Sequence, residues 1–290
     1  MDAFGPALVS ILFHGLTYAM ILYVISVGLS VTMGLMGFVN LAHGVFAMLG
    51  GYIMTTLMNS YDVPFGFALL AAFIAVALFS MVLERALYSR LYRAGELEQV
   101  LFSIGLIFMS VAIIRYVWGA LPQRMVVPEM LSGSFEFMGR GFPTYRTFLI
   151  FVGFAIVAAL WLGIERTNFG AQVRAAVDNR RMAESLGINT GKLFTLTFAL
   201  GSGLAAFGGG IGAEIYAINP QYAQDHLIYF LMVVAVGGLG SLRGPFVAAL
   251  VLGIGDRACF YLAPEFGAFF VYAAMMAILL WRPMGLFGKA

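Results

Sequence analysis

Nine apolar stretches alternate with short polar or glycine-rich intervals along this chain. A membrane-spanning helix needs about 20 predominantly apolar residues. The pattern therefore predicts an all-α, polytopic membrane protein with about eight to nine transmembrane helices, some of them broken by glycines. The stretches lie near Leu8–Met33, Leu41–Met58, Phe65–Leu83, Val100–Trp118, Phe148–Ile164, Leu193–Ala217, Leu227–Val236, Phe246–Leu262 and Gly267–Trp281.

The longest polar interval, residues 165–192, reads ERTNFGAQVRAAVDNRRMAESLGINTGK. Its mixed i+3 and i+4 spacing predicts one short amphipathic helix from about Ala171 to Leu186. Thr167 or Asn168 can cap the start of this helix, and Gly187 can end it. Such a helix is too short to span a bilayer, so it lies on the membrane surface or docks onto a partner. A solvated loop between two transmembrane helices is the open alternative.

Composition supports an integral membrane protein with one transmembrane domain over residues 1–290. Hydrophobic residues make up 62% of the chain and charged residues 10%, against roughly 45–50% and 25% in soluble domains. The single cysteine excludes an internal disulfide or a cysteine-based metal site, and we expect no metal and no cofactor. The formal charge of +2 does not indicate nucleic-acid binding. Because no basic residue precedes the first apolar stretch, we expect no cleaved signal peptide.

Basic residues predict the orientation in the membrane. Eleven of them fall in residues 84–98, 165–192, 241–244 and the C-terminal tail, whereas three fall in the interval 119–145 and its immediate C-terminal flank. The positive-inside rule then places residues 165–192 and the C-terminus in the cytoplasm and the interval 119–145 outside. Prolines in this outer loop indicate turns, with a short strand or a surface helix between them.

Two stretches, TMGLMGFVNLAHG and AVGGLGSLRGP, each interrupt an apolar pattern with closely spaced glycines. Glycine permits unwound turns, which a membrane tolerates only where protein or a water-lined cavity satisfies the backbone. Paired interruptions of this kind indicate a translocation path, although the glycines can equally serve only helix packing. The candidate path residues are Asn40, His43, Gly44, Gly237, Gly238 and Gly240.

Small residues also recur at i+4 steps in the sixth stretch. Ala205, Gly209 and Ala213 make a flat face that packs against another helix. The pattern does not decide whether that helix belongs to this chain or to another subunit.

Ionisable residues within apolar stretches need a partner or a cavity. These are His14, His43, Glu214, Asp256 and Arg257. Asp256 and Arg257 project about 100 degrees apart on a helix, so we expect them not to pair with each other. Both are expected to extend toward the outer interface.

Two nucleotide-binding patterns fail. GINTGKL at 187–193 is one residue short of a P-loop and lacks its Ser or Thr, and GSGLAA at 201–206 follows no strand.

A rival hypothesis is an intramembrane aspartyl protease, because residues 253–256 read GIGD and Tyr61–Asp62 supplies a second aspartate. That chemistry needs two facing carboxylates, whereas Asp62 is expected in a surface turn. We therefore predict no catalytic residue.

Several segments together carry a family resemblance. Residues 183–189 (AESLGIN), followed by TGK and LFTLTFALG, resemble the cytoplasmic coupling segment of ABC-transporter permeases. GLMGFVNLAHGVFAMLGGY at 34–52, VGGLGSLRGP at 236–245 and RPMGLFG at 282–288 are similar to LivH-type branched-chain amino acid permeases. The resemblance covers nearly the whole chain.

The resemblance implies the permease subunit of an ATP-driven importer in a bacterial inner membrane, for branched-chain or other small amino acids. Similar permeases carry urea, short amides or other small organic solutes, so these stay as alternatives, as does an ion-coupled secondary transporter. Expected partners are a second related permease, two ABC ATPase subunits that hydrolyse ATP, and a periplasmic solute-binding protein. The residues expected to couple to the ATPases are Arg174, Arg180, Ala183, Glu184 and Gly187.

Overall fold

The computed structural model describes residues 4–92, 94–137, 140–241 and 243–288. It is predominantly helical, and each of the nine apolar stretches forms a helix, which confirms the all-α fold class. The helices are α1 (Phe4–Met36), α2 (His43–Tyr61), α3 (Phe65–Leu83), α4 (Ser89–Leu91), α5 (Glu96–Trp118), α6 (Thr144–Glu165), α7 (Asn168–Asp178), α8 (Arg180–Ser185), α9 (Thr190–Gly212), α10 (Tyr222–Asp225), α11 (Leu227–Gly237), α12 (Arg243–Leu262) and α13 (Gly267–Trp281).

Among the described residues, six helices are long and apolar enough to cross a membrane. The predicted number of eight to nine spans is therefore not confirmed. α2 is not among the six, and the apolar helices that end at Gly237 and Trp281 are shorter than 18 residues. The six spans are Gly5–Gly34, Phe65–Leu91, Glu96–Trp118, Thr144–Ile164, Thr190–Gly212 and Arg243–Leu262.

The core of the bundle is built on α9. In its most apolar window 78% of the residues are buried, whereas only 11% are buried in the corresponding window of α6. α6 therefore has most of its surface open to lipid or to a partner chain. α9 packs between α1, α2 and α3, and small residues allow these close approaches.

The predicted small-residue face of α9 lies inside this chain, against α2. A Cβ added at Gly209 would lie 2.0 Å from the carbonyl oxygen of Ala47. Ala205 is fully buried, and Ala213, also fully buried, is the residue that follows the end of the helix. Gly50 of α2 likewise meets the backbone of Ala206. This face is thus occupied within this chain.

The two glycine-rich stretches join helices and lie against each other. α1 ends at Met36 and α2 begins at His43, with Gly37 at φ +59° between them. α11 ends at Gly237 and the chain turns through positive φ before α12. The backbone N–H of Gly240 donates to the carbonyl of Ser30 (3.1 Å), close to the end of α1.

The interval between α5 and α6 contains a 3-10 turn, Glu129–Leu131, and a two-stranded antiparallel sheet of β1 (Ser134–Phe137) and β2 (Arg140–Pro143). Ser134 pairs with Pro143 and Phe137 with Arg140. The backbones of Gln123 and Ile218 also pair, which ties the interval to the chain just after α9. The short strand predicted for this interval is present, and it is paired with a second strand.

Candidate functional site

The polar segment 165–192 forms two helices, α7 and α8, where the sequence predicted one. The break is at Asn179, whose backbone is extended (φ −156°, ψ 99°). The Asn179 side chain accepts a hydrogen bond from the N–H of Met182 (3.0 Å) and caps α8. Asparagine favours such local side-chain bonds over a helix interior. Spacing alone predicted continuity, and this competition explains why that prediction was wrong.

The predicted caps at Thr167 and Gly187 are confirmed, although α7 begins at Asn168, before the predicted start near Ala171. The Thr167 hydroxyl accepts from the N–H of Gly170 (3.2 Å) at the start of α7. At the far end, Gly187 has φ +83°. The N–H of Ile188 donates to the carbonyl of Ala183 and that of Gly187 to Glu184. These two bonds form a Schellman motif, which fixes the direction in which the chain leaves α8.

Both helices bury one face and expose the other. Val173, Ala176 and Ala183 are buried against the bundle. Beside Ala183, Met182 is 59% exposed, and Leu186, the residue that follows α8, is 74% exposed. Residues four positions apart share a helix face. α8 therefore presents two neighbouring apolar side chains from the most polar segment of the chain.

A polar cluster fastens α8 to the start of α9. The Thr190 hydroxyl donates to Glu184 Oε1 (2.6 Å), and Arg180 Nε lies 3.0 Å from the same oxygen. The Arg180 guanidinium also lies 4.6 Å from the ring centroid of Phe194. The Thr190 hydrogen bond, and then that of Arg180, hold the pKa of the Glu184 carboxyl below its usual value. The predicted coupling residues Arg180, Ala183 and Glu184 thus form one anchored unit.

Arg174 takes a different position, at the junction of α6 and α7. It is exposed, and its guanidinium donates to the carbonyl of Ile164. Gly170 packs on the backbone of the same residue, because a Cβ there would lie 2.0 Å from the carbonyl oxygen of Ile164. Arg174 therefore orients α7 on the end of α6 and takes no part in the Glu184 cluster.

Asn40 and His43 are buried together with Gly44 near the junction of α1 and α2. Asn40 Oδ1 accepts from the Tyr88 hydroxyl (3.1 Å) and from the N–H of Ala42 (3.1 Å). His43 Nε2 donates to the carbonyl of Ile25 (2.9 Å). Asn40 Nδ2 is buried and finds no acceptor among the described residues. The structure thus shows these polar groups packed within the bundle.

Gly237, Gly238 and Gly240 make backbone contacts. A Cβ at Gly237 would lie 2.5 Å from the nitrogen of Pro245, and one at Gly238 would lie 2.4 Å from that of Gly288. The C-terminal segment also pairs with this turn, since the N–H of Leu286 donates to the carbonyl of Val236 (2.7 Å). The RPMGLFG segment is therefore bound to the second glycine stretch.

Glu84 is a buried carboxylate that sequence reasoning missed. It lies in a π-helical turn, Glu84–Tyr88, that continues α3. Glu84 Oε2 accepts from the Thr195 hydroxyl (2.8 Å), and Oε1 accepts from the Tyr92 hydroxyl. A charged residue at the end of an apolar stretch is normally expected to be exposed to solvent. Arg85, which is exposed, follows Glu84 directly, so nothing in the local sequence indicated burial.

Asp256 and Arg257 form an ion pair, contrary to prediction. Arg257 Nε lies 3.4 Å from Asp256 Oδ2. The long arginine side chain reaches back around the helix, which the angle between Cβ directions does not capture. Asp62, the second aspartate of the protease hypothesis, is exposed in a turn after α2 at φ 51°, as predicted. The two aspartates therefore have different environments.

The described residues form a bundle of apolar helices with one long polar segment, residues 165–192, on its surface. The family model for the permease component of branched-chain amino acid transport systems matches residues 11–279. The chain belongs to this family and is a membrane-embedded permease component. No solved structure matches it.

Named relatives cover almost the whole chain. The high-affinity branched-chain amino acid transport system permease protein BraD of Pseudomonas aeruginosa is 29% identical over 96% of this chain and 95% of its own. LivH of Escherichia coli is 26% identical over 96% of this chain and 94% of its own. A probable LivH of Methanocaldococcus jannaschii is 26% identical over 96% of this chain and 92% of its own. All three are described as transport permeases, so the chain is a transport subunit.

Proposed function

We propose that this chain is the permease subunit of an ATP-driven importer of branched-chain or other small amino acids in a bacterial inner membrane. The names of the relatives support the solute class. The proposed assembly contains a second related permease, two ABC ATPase subunits and a periplasmic solute-binding protein. The C-terminus and residues 165–192 face the cytoplasm.

The observation that carries the coupling role is the exposed pair Met182 and Leu186 on α8. Exposed apolar side chains at a polar surface favour a protein partner, because burying them removes apolar area from water. We assign this face to the ATPase. The Glu184 cluster then transmits movement of α8 directly to α9, the most buried of the membrane-spanning helices.

The mechanism follows from rigid connections. When ATP closes the ATPases, they move α7 and α8 as a unit. Gly187 and Thr190 pass that displacement to α9, and α9 tilts with the helices packed on it. Rigid-body rocking of this kind exposes a solute path alternately to each side. The Asn40 and His43 region and the paired glycine stretches lie where such helices meet, and we retain them as path residues.

The test uses the whole complex in proteoliposomes. Met182→Asp places a charge on the docking face, and Gly187→Val introduces a β-branched residue at positive φ, which misdirects the turn. Both should lower solute-stimulated ATP hydrolysis and leucine uptake together while the chain stays in the membrane. Arg166→Gln, an exposed change in the same segment, is the control.

Subunit retention, the ATPase rate and uptake are measured on one preparation. Uptake at the wild-type rate in both variants would contradict the coupling role. Transport by the purified permease alone down an ion gradient would favour a secondary transporter instead. Transport of urea or short amides in place of leucine would change the solute and keep the mechanism.

A further inference from the structure

A cavity of about 450 Å³ opens at the end of the bundle that carries the interval 119–145. It lies between α1, the first turn of α6, the chain after α9 and the last turns of α12. Its volume falls within the roughly 300–1,000 Å³ of small-molecule sites. The lining residues are Ser10, Ile11, His14, Thr17, Tyr18, Arg146, Ile215, Tyr216, Arg257, Phe260 and Tyr261.

Arg146 lines the cavity, and His14 holds its side chain in place. Arg146 Nη1 donates to His14 Nδ1 (2.8 Å), and because a guanidinium cannot accept, this imidazole carries its proton on Nε2. Arg146 Nε is buried and has no acceptor among the described residues. Because this nitrogen is not accessible from the cavity, the part of Arg146 that faces a ligand there is the rest of its guanidinium.

Arg257 also lines the cavity. Its Nη2 donates to the Tyr216 hydroxyl (3.2 Å), and its guanidinium lies 4.8 Å from the ring centroid of Tyr18. Asp256 contacts the Nε side of the same guanidinium at 3.4 Å. The cavity lining thus contributes two guanidinium groups and, among the described residues, no carboxylate; Asp256 offsets one of the two charges.

Ile11, Ile215 and Phe260 are apolar members of the same lining. A ligand that fits this lining combines an anionic group with a small apolar body. Guanidinium groups bind carboxylates through short charge-assisted hydrogen bonds, which are stronger in a partly desolvated site. Cationic residues within membrane segments commonly mark solute pathways.

We propose that this cavity binds the transported amino acid, with Arg146 and Arg257 holding its carboxylate; the assignment rests on the proposed function. Both guanidinium groups line the cavity, and Asp256 offsets only one of the two charges. Ile11, Ile215 and Phe260 receive the aliphatic side chain. The site lies at the bundle end where solute arriving from outside first meets the permease.

The experiment measures leucine uptake by the complete complex at saturating loaded binding protein. Arg146→Gln should lower uptake roughly tenfold, the loss expected when one hydrogen bond to a charged group is removed, while the subunit composition of the complex stays that of the wild type. Arg146→Lys should retain an intermediate rate, because it keeps the charge without the forked geometry. Arg124→Gln, an exposed arginine at the same end, is the matched control and should behave as wild type.

A second variant separates loss of the site from misfolding. Tyr216→Phe removes only the hydroxyl that Arg257 contacts and should lower uptake less than Arg146→Gln. Binding of radiolabelled leucine to the solubilised complex, without binding protein, should be competed by unlabelled leucine and not by leucine amide, which lacks the carboxylate. Competition by the amide as strong as that by leucine would overturn the proposal.

A lipid phosphate is the other oxyanion that this cavity could attract. The assays are therefore run in vesicles of phosphatidylcholine alone and with phosphatidylglycerol. If Arg146→Gln loses the same fraction of uptake in both kinds of vesicle, the result supports binding of the solute in this cavity. The thermal stability of each complex is compared in the two vesicles. If Arg146→Gln takes up leucine at the wild-type rate and loses only the stabilisation that phosphatidylglycerol gives the wild type, the cavity binds lipid and the proposal is overturned. If the wild-type complex neither binds nor transports leucine, the proposed function itself fails.

Discussion

Gly34 and Gly240 meet backbone to backbone, so that a Cβ added to Gly34 would lie 2.2 Å from the Cα of Gly240. The two residues are far apart in sequence and belong to the two glycine-rich stretches. The contact closes the end of the bundle next to α7, since Gly240 also approaches Val177. The described atoms nearest to an added methyl group are backbone atoms of Gly240 and Leu239, which cannot move aside as a flexible side chain could.

Gly34→Ala should therefore lower the free energy of unfolding by about 1–3 kcal/mol, the usual cost of overpacking. Unfolding in mixed micelles, followed by tryptophan fluorescence, measures the change. Gly105→Ala in α5 is the control, because a Cβ added there would meet no neighbouring side chain or helix within 4 Å and alanine favours a helix. Equal stability of the two variants would show that the backbones are not in contact.

Glu84→Ala should destabilise the junction between α3 and α9. The Thr195 hydroxyl keeps the carbonyl of Gly191 as an acceptor (3.1 Å), but the Tyr92 hydroxyl loses the carboxylate. We expect a loss of about 1–3 kcal/mol, the cost of one unsatisfied group in a buried site. The same mixed-micelle unfolding measures it.

Glu84→Gln keeps one carbonyl acceptor, so its free energy of unfolding should fall less than that of the alanine variant. Glu98→Ala, an exposed change nearby, should have little effect. A Glu84→Ala protein as stable as wild type would mean that the carboxylate is not used in the interior.

The cluster around Glu184 should weaken in acid. The folded-state pKa of this carboxyl is lowered by Thr190 and Arg180, so the anchoring is fully present above the ordinary glutamate pKa. It is lost as the pH falls through the lowered value. A nitroxide attached at Ser185→Cys, in a Cys259→Ser background, should therefore gain mobility only at pH values below the ordinary glutamate pKa.

Glu184→Gln should abolish this pH dependence and leave the label mobile throughout. A rise in mobility above pH 7 in the protein with Glu184 would have the wrong sign for a carboxylate whose pKa is lowered.

The orientation predicts which positions an impermeant thiol reagent reaches. In the same Cys259→Ser background, Arg124→Cys should react in intact spheroplasts and Arg180→Cys only after permeabilisation. The reason is the concentration of basic residues on one side of the bundle. Labelling at position 180 but not at 124 would reverse the proposed topology. Lys289, which we also expect in the cytoplasm, lies outside the described residues.

Sequence reasoning succeeded where the cause is local. Hydropathy and length determined each apolar helix, because a helix satisfies its own backbone within the membrane. The caps at Thr167 and Gly187 followed from side-chain and backbone preferences of single residues. The break at Asn179 is also local, but its capping preference competes with a helical spacing pattern that favoured one continuous helix.

What only the tertiary structure decided are the relationships between distant segments. The spacing of Ala205 and Gly209 predicted a packing face, and the fold supplied its partner, Ala47 of α2. Likewise, the burial of Glu84 depends on Thr195, and the cavity depends on Arg146 reaching His14. Periodicity predicts which face of a helix is apolar. It does not predict which other helix will cover that face. Those pairings are set by packing of all the helices at once.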